Sequence, residues 1–316
     1  MTGNKNNLTQ RILSVIGDFE PDKHINPKVI YQITNEYIKD GVRFQKLDLL
    51  VDSDDKVPCY LLTPINLKDK VPGILCLHQT TVDKAIGIEE VVGNQGNLNF
   101  SYAFELAKKG FVTISPEYPF FGDYSITEDR VYSEFGYESV SMKGLMNHMA
   151  ALNLLESLSF VNSSKLGCIG HSLGGTNALL LTHFDKRIKI AVISAGFTTF
   201  EKYAAMQKSG DLSRWALRDK YMPNVFLKYK NDPARMPFDF PELLASLSPT
   251  PLFVSTPTED EIFDYSGALL CVNNAQKKYS EKADLSNFEH YSPRTKHDFP
   301  EKIRARAYSF IHKNLN

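Results

Sequence analysis

Ser172 stands in Gly170-His171-Ser172-Leu173-Gly174-Gly175, a serine with glycines two residues to either side. A short apolar run, Leu166 to Ile169, leads into it, and a helix-like segment from Thr176 to His183 follows. A strand that turns sharply through a glycine-flanked serine into a helix lifts the hydroxyl above the sheet. The first N–H groups of the helix then point at whatever the serine attacks. That is the pattern of a nucleophile. A serine hydroxyl is weak at neutral pH, so it needs a base to take its proton and a third group to hold that base in one tautomer. With a serine elbow of this kind the partners follow in the order serine, acid, histidine.

Four histidines come after Ser172. His183 lies in the helix leaving the elbow and points away, His312 belongs to the terminal helix, and His290 falls in a weak last strand. His297, in Ser-Pro-Arg-Thr-Lys-His-Asp-Phe-Pro between that strand and the last helix, is where the base has to be. Asp298 beside it reads as a cap for the following helix. The acid should follow the strand Leu252 to Ser255, which leaves Glu259, Asp260, Glu261 and Asp264. Asp260 is chosen, at the end of Pro-Thr-Glu-Asp, and solvated loop charge fits Glu259 and Glu261. A tetrahedral oxyanion needs two converging N–H donors. Leu173 should supply one, and Thr80 or Gln79, after the strand ending at Leu77, the other, with Thr80 preferred. His78 reads as a structural hydrogen-bonder.

Positioning these groups takes a sheet. Continuous apolar runs at Val71–Leu77, Phe111–Ser115, Leu166–Ile169, Ile188–Ala195 and Pro251–Ser255 are strands buried on both faces. They alternate with helices near 100–109, 137–158, 176–183, 265–279 and 300–315, which predicts a doubly wound, mostly parallel α/β sheet. Val42–Val51 and Val57–Leu62 read as an antiparallel hairpin opening it. Ahead of them, apolar residues at helical spacing (Leu8 to Ile16, then Val29 to Ile38) predict one or two packing helices. Between Gly196 and Ser248 the rhythm breaks. That interval carries Phe197, Phe200, Tyr203, Trp215, Tyr221 and several prolines, and is too long for a simple connection. It reads either as an insertion lining a pocket over the strand C-termini or as an embellished crossover whose aromatics are core. Trp215, Tyr118 and His171 are assigned to substrate binding.

The chain has 316 residues, 42% hydrophobic and 23% charged, the balance of a soluble globular protein. A net charge of -1 steers it towards neither nucleic acid nor anionic lipid. Cys59, Cys76, Cys168 and Cys271 show no metal or redox spacing and read as buried free thiols. The polar N-terminus lacks a signal core and no apolar run approaches membrane-spanning length, so a cytoplasmic location is expected.

The motifs together resemble the α/β-hydrolase superfamily, and within it the dienelactone-hydrolase-like and acetyl-xylan-esterase-like group. The matching stretches are residues 73–80, 121–123, 170–175, 251–260 and 297–300, spread over most of 42–315. The resemblance leaves the N-terminal helices unaccounted for, so the chain is divided into residues 1–40, an N-terminal helical extension, and 41–316, an α/β-hydrolase domain with a cap insertion at about 197–247. Dienelactone hydrolases proper carry a cysteine at the elbow where this chain has Ser172, and the usual His-Gly of the oxyanion loop is His78-Gln79 here. The expected activity is hydrolysis of carboxylic esters of small molecules, with acetyl or glucuronoyl carbohydrate esters implied by the resemblance alone. No metal or organic cofactor is implied, and the oligomeric state is left open. A prolyl-oligopeptidase-like peptidase is the second enzyme reading, although 41 residues before the sheet cannot make the large N-terminal domain such enzymes carry. A non-catalytic ligand-binding protein of the same fold is the third.

Overall fold

A computed structural model describes residues 3–25, 28–281 and 285–315. Residues 1, 2 and 316, the outer ends of the two expected parts, lie outside the described residues. In chain order the elements are α1 (Gly3–Ile16), β1 (Ile30–Lys39), β2 (Val42–Leu50), β3 (Lys56–Pro64), β4 (Val71–Leu77), α2 (Tyr102–Lys108) and β5 (Val112–Pro116). Then come α3 (Val140–Ser157), β6 (Val161–His171), α4 (Leu173–Phe184), β7 (Ile188–Ser194), α5 (Phe200–Met206), α6 (Asn224–Leu227) and α7 (Phe240–Ser246). The chain closes with β8 (Leu252–Ser255), α8 (Tyr265–Glu281), β9 (Phe288–Tyr291) and α9 (Glu301–Leu315).

The strands form one sheet in the order β1-β2-β3-β5-β4-β6-β7-β8-β9. The first three pairings are antiparallel, and from β5 to β9 every neighbour is parallel. β5 and β6 flank β4 on opposite sides, so the winding reverses there. In an open α/β sheet that reversal opens a crevice beyond the strand C-termini, where ligands bind. The loop after β4 carries Gln79 and Thr80, and the turn after β6 carries Ser172. Two apolar layers cover the sheet. One joins α1, α3, α4, the aromatics after β7 and α8, and the other joins α2 and α9. Each Leu, Ile or Phe fully buried there contributes roughly 1.5–3 kcal/mol against leaving it in water. All four cysteines are buried free thiols.

The second N-terminal helix expected over Val29 to Ile38 is not there; the segment is β1, paired antiparallel with β2. The helical spacing of its apolar residues is incidental, since Ile30, Tyr31, Ile33 and Ile38 are exposed along an edge strand. Asp40-Gly41 decides the matter. Both residues have positive φ, 48° and 78°, the geometry of a two-residue hairpin turn. Among the described residues no helix is long and apolar enough to cross a membrane.

Candidate active site

Ser172 sits between the end of β6 and the start of α4 with φ 52° and ψ −118°, a backbone conformation costly for any residue with a side chain. Its N–H donates to Ser194 O on β7 at 2.9 Å, which pins the turn to the neighbouring strand. The flanking glycines are there for space. A Cβ on Gly170 would lie 2.1 Å from Gly174 O, and one on Gly174 would lie 2.0 Å from Leu77 O, so strand, helix and oxyanion loop could not close on one another.

His297 comes from the loop before α9. Its Nδ1 donates to Asp260 Oδ2 at 2.8 Å, and the Asp260 side chain is almost fully buried. Asp260 Oδ1 accepts from the N–H groups of Ile262 (2.8 Å) and Phe263 (3.0 Å). The carboxylate is thus held on both oxygens, and His297 keeps its proton on Nδ1 with Nε2 free to act as base. The other three acids are engaged elsewhere. Glu259 pairs with Arg294 at 2.8 Å, Glu261 with Lys296 at 2.9 Å, and Asp264 Oδ1 accepts from Gly267 N at 2.8 Å at the start of α8. Of the remaining histidines, His183 bonds Thr9 and Ser246, and His290 bonds Thr256 and Ser292. Asp298 does not cap α9; it accepts from Phe299 N and Asn99 Nδ2, both at 2.8 Å.

Ser172 and His297 line one cavity of about 630 Å³ together with Leu173, Gln79, Thr80 and His171. Leu173 is the first residue of α4, so its N–H has no acceptor within the helix. Behind the oxyanion loop, His78 is buried; its Nε2 accepts from Tyr118 N at 3.0 Å while Nδ1 donates to Gln79 O at 2.8 Å. Glu117 lies 3.1 Å from the same Nε2, its carboxyl pushed up by burial. The pocket lining that the stretch between Gly196 and Ser248 could supply is present in part. Tyr203, Trp215 and Tyr221 face the cavity from the stretch after β7, whereas Phe197, Phe200, Phe238 and Phe240 are core. Both readings of that stretch hold for different residues.

His171 packs its ring 4.7 Å from His297, stacked on Phe100 at 4.8 Å, and its Nδ1 lies 3.0 Å from Ser194 Oγ. Burial, and then His297, hold its pKa well below the usual histidine value. A neutral ring beside His297 adds no repulsion to a positive charge on that imidazole. Tyr118 is a correction. It is buried outside the cavity lining, with its hydroxyl donating to Lys220 O at 2.9 Å, so it supports the wall without facing a ligand. Its aromatic neighbours in sequence hid the fact that α3 covers it. Glu90, Arg214 and Lys220 also line the cavity and were not singled out in the sequence. Their segments have no periodicity that would place them. Among the described residues no cluster of three or more His, Cys, Asp or Glu is arranged to hold a metal.

Residues 144–282, from α3 to the end of α8, match the family model described as glucuronyl esterase, fungi. A Bacillus subtilis (strain 168) protein named as a hydrolase, YtaP, is 25% identical over 187 residues, 58% of this chain and 61% of that protein. The 4-O-methyl-glucuronoyl methylesterase 1 of Wolfiporia cocos (strain MD-104) is 26% identical over 165 residues, 49% of this chain and 40% of that one. The chain thus spans less than two thirds of the length of either curated relative. Among solved structures, a glucuronoyl esterase from Solibacter usitatus superposes with a TM-score of 0.75 at 16% identity, covering 100% of this chain and 93% of that one. Strand order, the strained serine turn after the strand beside the switch point, and the structural likeness agree that the chain has the α/β-hydrolase fold.

Proposed function

We propose that the chain is a serine carboxylic-ester hydrolase acting on carbohydrate esters through an acyl-enzyme. The observation that supports this best is the His297–Asp260 pair opening onto the cavity that Ser172 also lines. Ser172 Oγ attacks the ester carbonyl and His297 Nε2 takes its proton. Asp260 keeps the ring in the right tautomer and stabilises the imidazolium. The N–H of Leu173, with one from Thr80 or Gln79, receives the oxyanion. His297 then protonates the leaving alcohol, and water, activated by the same ring, releases the acid. A glucuronoyl or acetyl ester is the proposed substrate, drawn from what the matched relatives are named for. A cytoplasmic site of action remains part of this proposal, to be checked by fractionating the source cells.

The test is hydrolysis of p-nitrophenyl acetate, butyrate and octanoate, and of methyl glucuronate, by the wild type and by Ser172→Ala. Short-ester activity that vanishes in the variant, with fluorophosphonate labelling of Ser172, supports the reading. A wild type inert on every ester and unlabelled would overturn it.

A further inference from the structure

The stretch between β7 and β8 brings charge as well as aromatics to the cavity. The carboxylates in the lining, Glu90 and Glu261, both have partners. Glu90 accepts from Asn97 N at 2.7 Å and from the Gln79 side-chain amide, and Glu261 pairs with Lys296 at 2.9 Å. The cations have no carboxylate. Among the described residues, neither the Arg214 guanidinium nor the Lys220 ammonium makes an ion pair or a hydrogen bond, and the ammonium lies over the Tyr221 ring, 5.1 Å from its centroid. Asp219, next to Lys220, is turned to Lys84 at 3.4 Å. Between them in sequence, Trp215 also lines the cavity; it is 5% exposed, and its Nε1–H is buried with no acceptor. A buried donor left without an acceptor is costly, so one that has no structural partner, in a lining with two cations that have no carboxylate, points to a ligand.

We propose that Arg214, Lys220 and the Trp215 indole N–H form an anion subsite that takes a free carboxylate carried by the substrate, separate from the ester carbonyl facing Ser172. This rests on the esterase reading and narrows its substrate class to esters that keep a free carboxylate, such as an acetyl ester of an acidic sugar, and away from a simple glucuronoyl ester, whose single carboxyl is the scissile group. The guanidinium fork suits a carboxylate's two oxygens, the ammonium adds a second positive charge, and the indole supplies a neutral donor. The frame is held before any ligand arrives. Trp215 N donates to Leu212 O at 2.9 Å, Met222 N to Trp215 O at 3.0 Å, and Tyr118 Oη to Lys220 O at 2.9 Å. Burial, then Lys84 and Arg214, lower the Lys220 pKa, and an arriving carboxylate would relieve that cost.

The chain has 1 tryptophan, Trp215, so intrinsic tryptophan fluorescence reports on this subsite directly. Glucuronate and glucose, which differ by one carboxylate, are titrated into Ser172→Ala protein while that emission is followed. The expected result is saturable binding of glucuronate at least tenfold tighter than glucose, weakened by salt. Adding Arg214→Gln and Lys220→Gln should remove at least tenfold of the preference, and Lys220→Arg should keep most of it. Equal binding of the two sugars overturns the proposal. So does a preference that survives the double substitution, which would place the carboxylate in the oxyanion hole. Because Ser172→Ala protein is used, these outcomes do not depend on turnover. An enzyme that hydrolyses p-nitrophenyl butyrate yet shows no preference for glucuronate loses the subsite and keeps the esterase.

Discussion

Replacing Asp260 by Asn tests the tautomer argument with almost no change in shape. Asp260 Oδ1 faces two backbone donors, the N–H groups of Ile262 and Phe263 at 2.8 and 3.0 Å, and Oδ2 faces His297 Nδ1 at 2.8 Å. An amide NH2 cannot sit against two N–H groups, so the Asn oxygen must take the Oδ1 place and the NH2 must point at His297. His297 Nδ1 then has to accept, its proton moves to Nε2, and the nitrogen that should deprotonate Ser172 is already protonated. A wrong-tautomer base costs on the order of 10⁴ in kcat, or about 5.5 kcal/mol of barrier at 1.36 kcal/mol per decade. Stability should fall by only about 1 kcal/mol, because the backbone hydrogen bonds survive. Asp260→Ala should lose the same activity and more stability, since it strands both N–H groups. The assay is kcat on p-nitrophenyl butyrate with the thermal midpoint measured alongside. An Asp260→Asn enzyme within tenfold of wild type would refute the tautomer reasoning and remove Asp260 from the site.

Buried histidines should make the fold acid-sensitive. Burial, with His78 nearby, holds His148 at about 3, and His171 lies well below 6.5. The unfolded chain binds more protons in that interval. Stability is therefore complete above pH 6.5 and is lost as pH falls through the window, by up to about 5 kcal/mol from His148 alone at pH 3. Urea midpoints should drop between pH 7 and pH 5 and drop less in His148→Gln; parallel curves would sink the argument. At the elbow, Ser172→Gly removes the side chain that makes φ 52° costly. It should abolish activity while raising stability by about 1 kcal/mol over Ser172→Ala, and a lower midpoint would mean the turn stores no strain. Lys143, fully buried in α3, pairs with Asp52 at 2.7 Å and Asp55 at 2.6 Å. Lys143→Met strands the buried Asp55 and should cost about 3–5 kcal/mol in chemical unfolding, whereas a loss below 1 kcal/mol would show that water reaches the carboxylates.

What the sequence by itself determined is local. Apolar strands running into glycines, and helices of matching length between them, establish a parallel sheet because each element must bury both of its faces. The elbow was legible for the same reason, since Gly170, Ser172 and Gly174 describe one tight turn whatever surrounds it. Asp260 and His297 were legible through chain order, each falling in a loop just after a strand C-terminus, where the sheet itself sets their reach.

Tertiary structure decided what has no local period. β1 looked helical because an exposed edge strand imposes no burial pattern on its residues, and only the Asp40-Gly41 turn betrays the hairpin. Tyr118 looked like a pocket residue from its aromatic neighbours, but packing under α3 turns its hydroxyl to a backbone carbonyl. Arg214 and Lys220 could not be told from ordinary surface charge. Their meaning depends on which carboxylates lie within reach, and Asp219 and Glu261, close in sequence or in space, are spoken for by Lys84 and Lys296. Pairing between charges is a property of the folded surface, so only the assembled cavity shows which of them are left for a ligand.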